Sequence, residues 1–452
     1  MGIGTHFAAI VTLCAGILLC FAGLLWRPWT AYNLFRPRVV VPAMVFFSVF
    51  YQFIRYRWLG AHQGSDIPGV ARYRREFSFD AVAYVTLCAG MFWVGYLVPF
   101  GRALGDWAAA LAVRSPLSMQ TLRNWAIGLS GLSLLLGLLF DGAGLFSGTW
   151  GAGYGAFAVT GIGSTVFRSY SLLGIAGALL LGYSWPGPEE RSALWFPAAA
   201  LLLFCDAAPW MAHFSRGSGL FPLLAVLGYF LRHRRVPWAV AAAGVVVFFL
   251  GVATAVTGRG VYGHNGGSLN YLAYLWPSLF HWSRMFSSTT STADSFTPLT
   301  VVMAGLHHGN DMGRLTKLNW ILTQLPLPHS LRPKWTFFPG IFIAHEWNAN
   351  ASVFGYNPGM FGDTFATFGY WGSLVFAFVG AAYRAVDAAA FGRQTPGASL
   401  LPLLAPVSYY ALGQGCFTNF RAFNTALVVP AALILAVTYL RRDRFQVDPL
   451  VA

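Results

Sequence analysis

The run FAAIVTLCAGILLCFAGLLW (Phe7–Trp26) decides the class of this protein. It contains no charged residue, and it matches the length of the roughly 20-residue apolar helix that crosses the hydrocarbon core of a membrane. The preceding MGIGTH lacks the basic residues of a secretion signal, so we expect the run to be retained as a membrane span. Similar apolar runs recur as far as residue 440, and the sequence therefore predicts an integral membrane protein.

The composition of the whole chain agrees with that class. Its 452 residues are 56% hydrophobic and only 10% charged, whereas soluble domains carry roughly a quarter charged residues. The net charge of +14 comes from basic residues scattered between apolar runs, so nucleic acid is not an expected partner. The five cysteines lie in apolar runs without CxxC spacing, and neither a disulfide nor a cysteine metal site is expected.

Eleven apolar runs are long enough to be read as spans. They lie near residues 7–26, 39–54, 79–100, 122–140, 166–184, 194–213, 218–231, 236–257, 366–386, 399–416 and 425–440. The glycine-rich stretch Gly142–Thr165 is a twelfth span, a re-entrant segment or an external loop. The predicted fold is all-α, a polytopic bundle of 11 or 12 transmembrane helices.

Arginine-rich segments set the expected orientation of the C-terminal half. The cytoplasmic markers are RHRR (Arg232–Arg235), Arg384, Arg393 and RRDR (Arg441–Arg444). The chain then divides into N-terminal spans (1–257), a large external loop (258–365) and C-terminal spans (366–452), which together form one membrane domain. In the N-terminal half the arginines on the two sides are similar in number, so the side of the N-terminus stays open.

The external loop concentrates polar chemistry. It carries six of the ten histidines, and the stretches Tyr271–Trp282 and Thr316–Leu325 are typical of helices that lie on a membrane surface. Such a loop could cover a lipid-linked substrate. LHHGND (Leu306–Asp311) has neither HxxxH nor HExxH spacing, so no metal site is expected there.

Three segments carry a resemblance to a known family. The end of the loop, FGYNPGMFGDTFATFGYWGSLVFAFVGA (Phe354–Ala381), resembles the segment of Wzy-type polysaccharide polymerases in which an acidic residue precedes a glycine-containing turn into a membrane helix. HFSRGSGLFPLLAVLGYFL (His213–Leu231) resembles their arginine-bearing helix start, and NFRAF (Asn419–Phe423) is similar in placement. The layout of spans and one large C-terminal loop is similar as well.

This resemblance implies a GT-C-like glycosyltransferase of the bacterial inner membrane. Such a polymerase transfers a growing glycan from undecaprenyl diphosphate onto a new lipid-linked repeat unit at the periplasmic face. The resemblance implies lipid-linked oligosaccharides as substrates, the bilayer as surroundings, and a chain-length regulator and a flippase as partners. It implies no cofactor and no metal.

The reaction needs a base to accept a proton from the attacking hydroxyl group. Asp363 is the first candidate, because it stands where the loop re-enters the membrane and partial desolvation would raise its pKa. The alternative is that Asp363 caps a helix that begins near Thr364. His345 and Glu346 form a second candidate pair, although a solvated surface pair explains them equally well.

The departing diphosphate needs cations. Arg216 and Arg421 are the first candidates because each lies at the outer end of a span among small or apolar residues. Their alternative role is to snorkel to lipid headgroups. Arg314 and Lys317 are further candidates.

Two other classes of protein stay open. A ligase would deliver the same donor to another acceptor, and a flippase or transporter would move the lipid-linked glycan without forming a bond. Asp206, in the middle of an apolar run, would suit a proton-coupled transporter. The polymerase is favoured because titratable groups concentrate in the loop.

Overall fold

The computed structural model describes residues 3–25, 36–58, 68–113, 119–146, 294–308 and 359–391, and the single residues 177 and 201. Every element within these ranges is helical. The elements are α1 (Ile3–Phe21) with a 3-10 turn (Ala22–Leu25), α2 (Pro37–Val45), a π segment (Phe46–Phe50), α3 (Tyr51–Arg57), α4 (Pro68–Glu76), α5 (Ser78–Leu97), α6 (Pro99–Val113), α7 (Met119–Phe146), α8 (Phe296–His307), α9 (Gly359–Phe368) with a 3-10 turn (Gly369–Ser373), and α10 (Leu374–Phe391).

Four helical segments are long and apolar enough to cross a membrane, which confirms the prediction of a helical membrane protein. They are Phe7–Leu25, Pro37–Arg57, Ser78–Leu97 and Gly359–Ala385. They match the runs predicted near 7–26, 39–54, 79–100 and 366–386, the last of which begins earlier than predicted. The run predicted near 122–140 lies within the 28-residue helix α7. The other predicted spans and most of the predicted external loop lie outside the described residues.

The start of α9 shows that the N-cap role considered for Asp363 is wrong. The helix begins at Gly359, so Asp363 lies inside it and is not an N-cap of a helix starting near Thr364. Gly359 has a φ of 67°, a backbone conformation that glycine adopts without the steric cost of a Cβ atom. The chain therefore turns into the helix one turn earlier than the acidic residue suggested.

The described helices belong to two compact units. The first contains α1 to α5, α8 and α9, with α6 as far as Trp107 and α10 as far as Ala388. Helix α7 lies in the second unit. Residues 294–308, which the sequence assigned to the external loop, thus pack with N-terminal spans in the first unit.

Contacts along α5 give the direction of its neighbours. Thr86 Oγ1 donates to the Thr12 carbonyl at 3.3 Å and Trp93 Nε1 donates to the Leu19 carbonyl at 2.8 Å. From the first contact to the second, the residue number rises by the same amount in both helices. Helices α1 and α5 therefore run parallel.

The element formed by α9 and α10 also runs parallel to α5. Tyr84 contacts Thr364 near its beginning, and Tyr96 contacts Asp387 near its end. The backbones approach closely, because a Cβ atom added to Gly95 would lie 1.8 Å from the Ala377 carbonyl oxygen.

The two ends of α5 define the two ends of the first unit. Its 20 residues correspond to about 30 Å at 1.5 Å per residue, the thickness of the hydrocarbon core of a membrane. We call these the Ser78 end and the Leu97 end. The Ser78 end carries α4, the last turn of α3 and both His307 and His308, whose rings lie 5.6 Å from Phe77 and 5.8 Å from Tyr73.

Candidate functional site

Asp363 is a fully buried acid inside a candidate membrane span. Its exposed fraction is 0%, and it lies in the segment Gly359–Ala385. The next residue, Thr364, is fixed to α5 by a hydrogen bond of 2.9 Å between its hydroxyl group and that of Tyr84. Thr367 Oγ1 donates to the Asp363 carbonyl oxygen at 2.8 Å. The position of the acid is therefore set by the packing of α9 on α5.

Burial limits what the carboxyl group of Asp363 can do. An ionisable group at membrane depth is costly and is a functional hypothesis by default. To act as a general base, it must come within hydrogen-bond distance of the proton that it removes. Solvent does not reach Asp363 in this conformation, so an attacking hydroxyl group would have to enter the bundle beside α9.

Asp294 is a second acid at the Ser78 end, and it organises α8. Its Oδ1 accepts hydrogen bonds from the amides of Phe296 at 2.9 Å and Thr297 at 3.0 Å. Its Oδ2 accepts from Thr297 Oγ1 at 2.7 Å and from the Tyr56 hydroxyl group at 3.0 Å. Asp294 thus caps the N-terminus of α8 and also ties this helix to α3.

The same helix start is bound to the π segment. The Ser295 amide donates to the Ser48 carbonyl oxygen at 3.0 Å. Ser48 lies in the π segment Phe46–Phe50, where the regular i→i−4 hydrogen-bonding pattern of the helix is interrupted. The interruption falls where α8 meets the second span, so the irregular backbone has a tertiary role.

Burial raises the pKa of the Asp294 carboxyl group above its ordinary value. Hydrogen bonds from Thr297 and Tyr56 and the charge of Arg74 act in the opposite direction, but they are outweighed. Desolvation penalises the charged form, and the donors around the carboxylate compensate for only part of that penalty.

Two buried arginines surround Tyr56. The guanidinium carbon of Arg74 lies 4.3 Å from the centre of the Tyr56 ring, and that of Arg55 lies 5.8 Å away. Phe296 stacks on the same ring with a centroid distance of 6.3 Å. Tyr56 therefore joins α3, α4 and α8 through cation–π, aromatic and hydrogen-bond contacts.

The Leu97 end holds a different kind of charge cluster. Asp387, with an exposed fraction of 2%, lies 3.4 Å from Arg384 Nη1 and 3.8 Å from Arg36 Nε. The Tyr96 hydroxyl group donates to the same carboxylate. Three separate segments are thus held together by one buried acid.

Metal ligands do not gather in the described ranges. No group of three or more His, Cys, Asp or Glu side chains occurs among the residues that the structure describes. The rings of His307 and His308 lie 6.0 Å apart, and both side chains are exposed. Each packs instead on an aromatic residue at the Ser78 end.

Among the predicted site residues, only Asp363 falls within the described ranges. The remaining candidates outside those ranges are His345, Glu346, Arg216, Arg421, Arg314 and Lys317. Sequence reasoning missed Asp294 and Tyr56. The spacing of Asp294 and Thr297 before an apolar run is a helix N-terminus signal that could have indicated the cap, whereas nothing in the sequence joined Tyr56 to it.

No protein-family model, curated protein or solved structure matches the chain.

Proposed function

We propose that the chain is a membrane glycosyltransferase of the repeat-unit polymerase type. It would transfer a growing glycan from undecaprenyl diphosphate onto a new lipid-linked unit at the external face of the bacterial inner membrane. The observation that carries this proposal is the burial of Asp363 inside a candidate span, in the segment that resembles the polymerases. Asp363 also lies toward the Ser78 end, where α8 brings part of the predicted loop into the bundle.

In the proposed reaction, the hydroxyl group of the acceptor sugar attacks the anomeric carbon of the donor. Asp363 accepts the hydroxyl proton, the new glycosidic bond forms, and the bond from the anomeric carbon to the diphosphate breaks. Arg216 and Arg421, with Arg314 and Lys317, would stabilise the departing diphosphate. His345 and Glu346 would bind or deprotonate the acceptor. The bond change is a substitution that consumes no cofactor.

The same proposal gives an orientation. If Arg384 faces the cytoplasm, as its arginine-rich surroundings predict, the Ser78 end faces outward because α10 runs from that end to the Leu97 end. Residues 294–308 would then pack into the external end of the bundle as part of the predicted loop. The N-terminus, which the sequence left undecided, would also face outward because α1 is parallel to α5.

Surface polysaccharide analysed on a gel tests this function. Asp363→Asn keeps the size of the side chain but removes its basicity, and we expect loss of long-chain product with single repeat units still made. Asp106→Asn, which changes an exposed acid in α6, serves as the control and should leave the product unchanged. Unchanged long chains in both Asp363→Asn and Arg216→Ala would refute the assigned roles.

Two related functions give different outcomes in the same experiment. If the protein is a ligase, the Asp363→Asn variant would leave polymer on its lipid carrier without transfer to the final acceptor. If the protein is a flippase, the same variant would leave repeat units on the cytoplasmic side, with no single units at the surface. The buried carboxyl group of Asp363 is the observation that favours a transporter as the second candidate, because such groups also carry protons through membranes.

A further inference from the structure

Three exposed arginines lie at the Ser78 end of the first unit. Arg57 is the last residue of α3, and Arg72 and Arg75 lie on α4; all three side chains are exposed. We call these three residues the α3–α4 patch. Arg72 approaches Glu76 at 3.6 Å, but both side chains are exposed, and a solvated pair of this kind contributes little to binding or stability. Among the described residues at this end, the three exposed arginines outnumber the exposed acids, Glu76 and Asp80.

The patch lies at the level expected for lipid headgroups. Arg57 ends the candidate span Pro37–Arg57, and Ser78 begins the next one. Trp58 follows directly with an exposed fraction of 59%, and tryptophan is enriched at the boundary between lipid and water. Helix α4, between the two spans, is short and polar in composition. The arginines are thus placed beside the bilayer rather than in open solvent.

Buried contacts join α4 to α3 and to the start of α8. Arg74 lies between Arg72 and Arg75 in the sequence of α4, and its guanidinium group lies over Tyr56. Tyr56 is in turn bound to the cap of α8 through Asp294. The end of α3 and the helix α4, which carry the three exposed arginines, are therefore fixed relative to each other.

We propose that the α3–α4 patch binds the phosphate groups of anionic phospholipids in the leaflet at the Ser78 end. A guanidinium group matches phosphate with parallel N–H donors, and anionic lipids attract basic residues that lie beside the membrane. The headgroup level and exposed Trp58 favour a phosphate carried by a lipid over free phosphate. This proposal does not depend on glycosyltransferase activity, because it concerns the surrounding lipid and not a reacting substrate.

Native mass spectrometry of the full chain in detergent, titrated with phosphatidylglycerol or phosphatidylcholine, tests the patch. We expect the wild-type chain to retain phosphatidylglycerol preferentially. Replacing one patch arginine, as in Arg75→Gln, should lower that affinity about fivefold, and the triple variant Arg57→Gln/Arg72→Gln/Arg75→Gln about a hundredfold, if each contributes about 1 kcal/mol. Arg102→Gln removes an exposed arginine at the Leu97 end with the same kind of acid neighbour as Arg72, and it should lower the affinity less than Arg75→Gln because it lies outside the patch.

Several outcomes would overturn the proposal. Equal phosphatidylglycerol binding by the wild-type and triple variants would exclude the patch, as would an equal loss in Arg102→Gln. Displacement of the lipid by low millimolar inorganic phosphate would show that free phosphate is the ligand. A triple arginine-to-lysine variant keeps the charge but lacks the parallel N–H donors, so undiminished affinity in that variant would contradict the guanidinium contact with phosphate. Size-exclusion profiles establish that each variant is folded, and a negative polysaccharide result would leave this binding unaffected.

Discussion

Asp363 and Asp387 are both buried acids on the element formed by α9 and α10, yet they lie toward opposite ends of α5 and have different surroundings. Asp387 is bound by two arginines and a tyrosine hydroxyl group. Asp363 lies in a helix that is joined to α5 by the hydrogen bond between Thr364 and Tyr84. At the Ser78 end the neighbouring acid, Asp294, accepts from amides and hydroxyl groups, while three arginines stay exposed. At the Leu97 end a buried acid pairs with two arginines, whereas Asp294 at the Ser78 end is bound by neutral donors and three arginines there stay exposed.

The strongest test of this comparison is the accessibility of the two ends. Arg75→Cys and Arg102→Cys place a thiol at each end, at positions where the natural side chains are exposed. We expect an impermeant maleimide applied to intact cells to label the first variant completely and the second not at all. The wild-type chain measures the background from the natural cysteines. The reverse pattern would invert the proposed orientation, and labelling of both would contradict placement of the two ends on opposite sides.

Breaking the cluster at the Leu97 end should have the largest effect on stability. Asp387→Ala leaves the partly buried guanidinium groups of Arg36 and Arg384 without their shared acid. Removal of one member of a buried ion pair typically costs about 3–5 kcal/mol. Thermal unfolding in detergent would measure the decrease. Asp106→Asn, whose pair with Arg102 is exposed, should change the midpoint little, and an equal decrease in both variants would remove the structural distinction.

The sequence predicts the apolar spans, but it does not predict where α9 begins or which distant residues meet at the Ser78 end. The spans around Phe7 and Ser78 were predictable because about 20 consecutive apolar residues have few alternatives to crossing a membrane. The start of α9 was not, because a glycine that turns the chain at Gly359 looks the same in sequence as one that breaks a helix. The contact of Tyr56 with Asp294 joins residues 238 positions apart, and no local pattern encodes it.

The cap of α8 should give a smaller effect at the Ser78 end. Asp294→Ala removes the acceptor for two amides and two hydroxyl groups, and loss of an N-cap costs about 0.5–2 kcal/mol. Asp294→Asn keeps a capping oxygen and should lose less. Hydrogen exchange of the α8 amides would report the difference, which should be largest at Phe296 and Thr297. Identical exchange in all three chains would show that Asp294 does not hold this helix.

The smallest expected effect is a pH dependence from the same residue. Because burial raises the pKa of Asp294 in the folded chain, the native state binds its proton more tightly than the unfolded state. The contribution of Asp294 to the free energy of unfolding is then greatest below its unfolded pKa and falls as the pH rises through its native pKa. Asp294→Asn should flatten this slope in denaturation curves measured between pH 3 and pH 7. A slope of opposite sign in the wild-type chain would contradict the shift.

The bond between Ser48 and Ser295 also sets an order of events during biosynthesis. The ribosome adds about 5–20 residues per second, and the neighbouring partners Tyr56 and Asp294 are separated by 238 positions. The second span is therefore made roughly ten to fifty seconds before the ribosome synthesises the start of α8. During that interval the Ser48 carbonyl group has no Ser295 amide to accept from. A nascent chain arrested before residue 290 would carry the second span without this tertiary bond, which forms only when the start of α8 reaches Ser48.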